Sequence, residues 1–365
     1  MSAFILEKID KNFKDSKFID SNLDWYDVLK MKDYVKGLYW FKTNNSFSRL
    51  DDNLEVRDNL KVLSLMPSGG YLEFESDTDE ISLDVELEDS YFMPHMTAIG
   101  QAGFDLYAKF GEKFIYLAST KTKEIKYRYN LYKSDKKELR TYRIYLPMYI
   151  KILSLSLGLG KDGIIRGTSE NKGAYIVCYG TSITQGGCAT RPGMNYTSIL
   201  ERHIDYRVLN FGFSGNAHLD SVIAKEIVKI NPEIVIIEAI ANCLGKDFFE
   251  ENLKEFIKIV SRKASVIVTS YFPSSSALID INKDKLIKES TKIVKKVIKE
   301  INNENVYFLD GFEILKELDY EETVDGIHLT DLGFYFLAMK LRDKIKKIKR
   351  EVERKKCLSK KDFSY

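Results

Sequence analysis

Between residues 175 and 309, five short apolar runs alternate with segments of helical period. This alternation, more than any other feature, limits what the chain can fold into. The runs are Tyr175–Tyr179, Arg207–Phe211, Ile234–Ala239, Val266–Ser270 and Val306–Leu309. Helical patterns fall between them at Tyr196–Ile204, Leu219–Ile230, Phe248–Arg262 and Lys283–Ile301, and a last helix is expected from Leu332 to about Arg350. Short runs buried on both faces and joined by helices predict an α/β region, a parallel sheet with helices on each side. Such a sheet carries its functional groups at the carboxyl ends of its strands.

Residues from about 35 to 165 carry a different pattern. Ile81-Ser82-Leu83-Asp84-Val85-Glu86-Leu87 alternates cleanly, and Tyr71–Glu75 does so before it. Val62–Met66 reads as a strand closed by the turn cluster Pro67-Ser68-Gly69-Gly70. Phe104–Phe110, Phe114–Leu117, Ile125–Tyr132, Leu139–Leu146 and Ile150–Leu157 follow at short intervals. Period two with frequent turns predicts an antiparallel β-sandwich, of jelly-roll or another type. A chain of 365 residues is long for one core. The expected organisation is therefore an N-terminal β-sandwich domain over 1–165, an α/β domain over 170–350 and a basic C-terminal tail over 351–365. Approaching that tail, Leu341, Ile345, Ile348 and Val352 recur at helical spacing among Lys and Arg, the pattern of a solvated terminal helix with a narrow apolar stripe.

The formal net charge of +2 argues against a polyanion partner, so no nucleic acid is expected. The four cysteines, Cys178, Cys188, Cys243 and Cys357, form no CxxC pair and no metal-ligand spacing. Neither a metal nor a structural disulfide is expected, which suits a reducing compartment. Charges interrupt Met1–Asp10 before an apolar segment can build up, and no run of about 18 apolar residues occurs. A cytoplasmic protein without a membrane partner is the expectation, with a homo-oligomer left open.

Polar motifs follow the first three runs. Ser182 stands in Tyr179-Gly180-Thr181-Ser182-Ile183-Thr184-Gln185-Gly186-Gly187, Gly215 in Gly212-Phe213-Ser214-Gly215-Asn216, and Asn242 at the end of the third run. The strand-end rule alone clusters these three positions. Asp325-Gly326-Ile327-His328-Leu329-Thr330 precedes the last helix. A serine becomes a nucleophile when a base takes its proton and an acid orients that base, and the anion that forms needs donors. The Ser182 segment lacks the Lys-Ser/Thr ending of a phosphate-binding loop. It also lacks the G-x-S-x-G elbow, because Thr184 takes the last position. Among the histidines, His203 falls on a helix, His95 in a sandwich loop and His218 after the Gly215 loop. His328 alone has an aspartate three residues before it in a loop ahead of a helix.

Taken in order, these four blocks resemble the SGNH hydrolase family, also called GDSL-like lipases/acylhydrolases. Gly180–Gly186 resembles the nucleophile block, Asn210–Asn216 the glycine block, Ile237–Asn242 the asparagine block and Asp325–Gly333 the acid–histidine block. Arg191-Pro192-Gly193-Met194-Asn195-Tyr196 is similar to a branch whose β-rich N-terminal domain carries Gly-x-Asp-Leu-Tyr, matched here by Gly103-Phe104-Asp105-Leu106-Tyr107. The resemblance covers about residues 90 to 340. Departures are Thr181, where the signature has Asp, Cys243, where many members have Asp, and the unusual Glu238-Ala239-Ile240 before Asn242.

The resemblance implies a flavodoxin-like three-layer α/β/α hydrolase domain with a parallel sheet, preceded by the β-sandwich. It implies Ser182 as nucleophile, His328 as base and Asp325 as the acid that orients it. The N–H groups of Ser182 and Gly215 and the amide of Asn242 would form the oxyanion hole. Thr181, Gln185, Arg191 and His218 are candidate substrate-pocket residues, and no cofactor is expected. The implied activity is that of a serine esterase on a small acyl ester, a small-molecule substrate such as an O-acetyl carbohydrate or glycoside. The alternatives are an O-acyltransferase with an alcohol acceptor and, less favoured, a non-catalytic carbohydrate-binding protein.

Overall fold

The computed structural model describes residues 9–10, 22–89, 93–122, 124–168 and 173–361, the side chains of 355–361 excepted. The chain divides into two units: Met1–Asn171 with Thr190–Gly193, and Lys172–Ala189 with Met194–Tyr365.

Among the described residues the N-terminal unit holds ten strands: β1 (Leu23–Asp27), β2 (Val35–Lys36), β3 (Tyr71–Ser76), β4 (Glu80–Leu87), β5 (Asp105–Phe110), β6 (Lys113–Ser119), β7 (Lys126–Lys133), β8 (Arg140–Tyr145), β9 (Ile152–Gly160) and β10 (Ile165–Gly167). They form two antiparallel sheets, β1-β9-β4-β7 and β10-β3-β8-β5-β6, with β2 on β3. Alternate residues of β4, Ile81, Leu83, Val85 and Leu87, enter one core with Leu72, Phe74, Leu106, Ile144 and Leu157 from other strands of both sheets. The same alternation sends Tyr71, Tyr107 and Tyr145 to the other face of their sheet, where they form a second cluster. There the fully buried Arg143 pairs with Glu73 and lies 4.2 Å above the Tyr71 ring. Desolvating a guanidinium is tolerable only when its donors are met in this way.

Short helices join these strands: α1 (Phe41–Asn44), α2 (Asp58–Ser64) and α3 (Ala98–Ala102). The second corrects an expectation, since residues 62–64 of the anticipated strand are helical. A short apolar run satisfies either period, and tertiary partners decide. Here Leu60 and Ser64, four apart, are buried, and Arg49 donates at 2.7 Å to the carbonyls of Leu63 and Met66 at the helix end. The edge strand β1, paired with β9 over five residues, was not anticipated.

The C-terminal unit is built on β11 (Tyr175–Gly180), β12 (Arg207–Gly212), β13 (Ile234–Glu238), β14 (Ser265–Thr269) and β15 (Val306–Leu309). All pair in parallel in the order β12-β11-β13-β14-β15. This is the 2-1-3-4-5 order of flavodoxin-like sheets. Ile176, Val177, Cys178 and Tyr179 of β11, which lies between β12 and β13, are inaccessible to solvent, as a strand covered on both faces requires. The helices are α4 (Ser182–Gln185), α5 (Tyr196–His203), α6 (Ser221–Ile230), α7 (Ile240–Cys243), α8 (Phe249–Val260), α9 (Ile281–Ile301), α10 (Gly311–Leu315) and α11 (Asp331–Lys361). Helix α5 packs on α11, and α8 packs on both α6 and α9. Helix α11 continues beyond Arg350, with Leu341, Ile345 and Ile348 buried along its apolar stripe. Among the described residues no helix is long and apolar enough to cross a membrane.

Candidate active site

The site is assembled at the carboxyl ends of β11, β12 and β13. Gly180, the last residue of β11, lies in register with Gly212 on one side and Glu238 on the other. Thr181 then caps α4, accepting the N–H of Ile183 at 3.2 Å, and Ser182 is the first helical residue. The helix is a single turn. It closes on Gly186 at φ 108°, a left-handed conformation suited to glycine, and the N–H groups of Gly186 and Gly187 both reach the Ser182 carbonyl. Gly212 is required for a different reason: a Cβ there would stand 2.1 Å from the Gln185 nitrogen. The end of β12 can therefore lie against α4 only without a side chain.

The loop before α11 carries the second half of the site. A bridge between Thr323 and Leu329 narrows it, and the Val324 N–H donates to the His328 carbonyl at 2.8 Å. Asp325 Oδ1 accepts the N–H groups of Ile327 at 3.0 Å and His328 at 2.8 Å. Asp325 Oδ2 lies 2.7 Å from His328 Nδ1, and His328 Nε2 lies 2.8 Å from Ser182 Oγ. An ionised carboxylate only accepts, so this network assigns the imidazole hydrogen to Nδ1 and leaves the Nε2 lone pair facing the serine. Partial burial opposes the charge on Asp325. The His328 N–H, the His328 ring and the Ile327 N–H outweigh it and hold the carboxyl below the usual range. The geometry thus places a hydroxyl against a base whose other nitrogen is held by an acid.

The remaining candidates separate into groups. Gly215 adopts φ 68° in an exposed turn. The side-chain oxygen of Asn242 accepts the Ala217 N–H at 3.1 Å, which turns the amide NH2 of Asn242 away to donate elsewhere. His218 is half-buried, with Nε2 3.1 Å from the Gly215 carbonyl and its ring against Phe248. Thr181 and Gln185, expected in the pocket, are fully buried instead. Thr181 is held by Glu238, and Gln185 accepts the Ser214 N–H at 3.0 Å, bracing the glycine-block turn.

Arg191 belongs to the N-terminal unit. Its guanidinium bonds Asp105 at 3.0 Å and the Tyr107 hydroxyl at 2.5 Å, and lies 3.9 Å from the centre of the Tyr116 ring. Asp105 also accepts the Gly193 N–H and the Ser119 hydroxyl. The Gly-x-Asp-Leu-Tyr stretch therefore reads as strand alternation, with Asp105 and Tyr107 on the face that grips 191–193 and Leu106 in the core.

Cys178, Cys188 and Cys243 are buried free thiols. Cys188, Asp325 and His328 place a sulfur, an oxygen and a nitrogen within 4.8 Å of one another. Burial pushes the Cys188 thiol up to about 12, and the facing atoms of Asp325 and His328 are already bonded to each other. The acidic residue that sequence reasoning left without a role is Glu238. Its signal was a carboxylate ending an otherwise apolar strand.

Residues 173–346 match the GDSL-like lipase/acylhydrolase family, and residues 23–165 match the N-terminus of SGNH-hydrolase-type esterases. None of the curated proteins matches the sequence. Among solved structures, the chain is similar to a protein described as a GDSL-like lipase from Bacteroides ovatus, at 26% identity and TM-score 0.83, over 90% of this chain and 98% of that one. It is also similar to a salicylyl-acyltransferase from a tetracycline biosynthetic pathway, at 16% identity and TM-score 0.67, over 82% and 88% of the two chains. A family two carbohydrate esterase from Clostridium thermocellum, solved with cellohexaose, matches at 14% identity and TM-score 0.55, over 77% and 92%. The last two likenesses speak to the fold alone.

Proposed function

The chain belongs to the GDSL-like lipase/acylhydrolase family and is an SGNH-type hydrolase, and on that premise we propose that it cleaves a small acyl ester through Ser182, His328 and Asp325. The observation that carries this reading is the continuous line from Asp325 through His328 to Ser182, at 2.7 and 2.8 Å. Ser182 Oγ attacks the ester carbonyl while His328 Nε2 takes its proton. The oxyanion is received by the N–H groups of Ser182 and Gly215 and by the Asn242 amide, whose orientation the Ala217 N–H sets. The intermediate collapses as Nε2 returns the proton to the leaving alcohol, and an acyl-serine remains. Water then repeats the sequence and releases the acid. Asp325 stays ionised and stabilises the imidazolium that forms at each step.

An acetyl group on a carbohydrate hydroxyl is the proposed ester. The β-sandwich that precedes the hydrolase unit in the chain supports it by analogy of architecture. The acyl-serine would serve an acyltransferase equally well, so the acceptor is part of the test. Ser182→Ala is expected to remove p-nitrophenyl acetate turnover and fluorophosphonate labelling while the circular dichroism spectrum is retained. Undiminished labelling of that variant would place the nucleophile elsewhere. Release of p-nitrophenol that an added alcohol accelerates would assign the transferase reaction.

A further inference from the structure

Strand β13 reads Ile234-Val235-Ile236-Ile237-Glu238, and its terminal glutamate is 4% exposed. Glu238 Oε2 accepts three hydrogen bonds: the Thr181 N–H at 3.2 Å, the Thr181 hydroxyl at 2.9 Å and the Thr184 hydroxyl at 2.9 Å. These threonines bracket the nucleophile, one residue before Ser182 and two after it. Thr184 in turn lies 3.0 Å from the hydroxyl of the fully buried Tyr196. Because the single Thr184 hydrogen goes to Glu238, Tyr196 donates to Thr184. A buried polar chain therefore runs from Tyr196 through Thr184 and Glu238 to Thr181, around the turn that carries Ser182. Gly180 leaves the room for it, since a Cβ there would stand 2.2 Å from Thr184 Oγ1 and 2.8 Å from Glu238 Oε2. Burying a carboxylate is unfavourable, and the reaction steps above make no use of this one.

We infer that Glu238 is a positioning residue for the nucleophile: its carboxylate clamps Thr181 and Thr184 and thereby fixes the turn that presents Ser182 to His328. The inference rests on the serine-esterase reading of the site. Three donors converge on Oε2, so the clamp is complete only when that oxygen carries no proton. Burial pushes the Glu238 carboxyl up to about 7, against the hydrogen bonds from Thr181 and Thr184. The titratable groups around it are Tyr196 on α5, Cys178 on β11 behind Tyr196, Cys243 on α7 and Tyr271 after β14. Burial raises all four, so they remain neutral near neutral pH. Asp220, ahead of α6, bears on Cys243. As pH falls through about 7, Glu238 takes up a proton, loses its charge and weakens its hold on the threonine donors.

Glu238→Gln tests this, because it keeps the size and removes the ionisation. The readouts are fluorophosphonate labelling of Ser182 and p-nitrophenyl acetate kinetics between about pH 5 and 9. In the wild type both Glu238 and His328 must be deprotonated, so log kcat/KM falls on the acid side with a slope approaching about 2. In the variant the slope is about 1. At pH 8 the variant's kcat and labelling rate are about tenfold to a hundredfold lower, with KM little changed, because a misplaced nucleophile loses rate and not binding. Thr184→Val, nearly isosteric, removes one donor and is expected to lower the labelling rate in the same direction, which covers a Gln variant that does not fold. Unchanged slope and labelling in the folded variants, with Ser182→Ala inactive and unlabelled, would overturn the inference and leave the esterase reading intact. A labelled Ser182→Ala would instead overturn the reading beneath it.

Discussion

The Glu238 clamp has a thermodynamic consequence separate from its effect on rate. Its carboxyl is moved from an ordinary value of 4.5 to about 7 by burial. Below pH 4.5 the glutamate is protonated in both folded and unfolded chains and contributes no difference. Between 4.5 and about 7 the unfolded chain ionises while the folded one keeps its proton, so stability falls as pH rises, and above about 7 the loss is complete. At ~1.36 kcal/mol per pH unit the whole loss is on the order of 3 kcal/mol, of which roughly 2 to 3 kcal/mol falls between pH 5 and 8. Glu238→Gln carries no such loss. Its stability relative to wild type should therefore rise by roughly 2 to 3 kcal/mol over that interval, whatever constant offset the amide introduces. Urea unfolding of both proteins at the two pH values measures this double difference, in which all other titrating groups cancel. The probe matters. Both tryptophans, Trp25 and Trp40, belong to the N-terminal unit, so their fluorescence does not follow the unit that holds Glu238. Far-ultraviolet circular dichroism does, because the long helices α9 and α11 are there. If variant and wild type track each other with pH to within about 0.5 kcal/mol, the Glu238 carboxyl keeps its ordinary value in the folded protein and the argument fails. The expected result is a variant that gains stability on the wild type towards pH 8 and is slower at Ser182, the trade expected where a site keeps a costly charge for function.

Other perturbations test single parts. Asn242→Ala removes a proposed oxyanion donor and should lower kcat by about 10²–10³ with KM little changed; a normal kcat would take Asn242 out of the mechanism. Asp325→Asn should keep the fold and lower kcat by about 10⁴, because an amide that donates to Nδ1 reverses the tautomer facing Ser182; residual activity near wild type would refute that assignment. Asp105→Ala leaves Arg191 without its carboxylate and should destabilise the N-terminal unit by about 3 kcal/mol, read by tryptophan fluorescence in urea, whereas an unchanged midpoint would mean that Tyr107 and Tyr116 suffice to hold Arg191.

Local periodicity was enough for the parallel sheet. An apolar run buried on both faces and flanked by helical spacing has one stable solution, and each expected strand in the C-terminal unit lies within a residue or two of its observed limits. The same logic located the strand-end positions of Ser182, Gly215 and Asn242, and the spacing of Asp325 and His328 marked the loop that meets them. Local pattern was insufficient wherever a short segment fits two periods. Val62–Met66 is apolar enough for a strand, and the buried Arg49 at the carbonyls of Leu63 and Met66 decides for a helix end. It was also insufficient for polar side chains, whose roles depend on partners far along the chain. Thr181 and Gln185 sit beside the nucleophile in sequence yet face inward, because Glu238, 57 residues from Thr181, and the Ser214 N–H claim their polar atoms. Arg191, a pocket candidate from its sequence block, is held instead by Asp105 and Tyr107, more than 80 residues away. Backbone period is a property of neighbours in sequence, so the chain itself determines it. Which donor meets which acceptor is a property of neighbours in space, and in this protein only the folded sheets bring those groups within hydrogen-bonding distance.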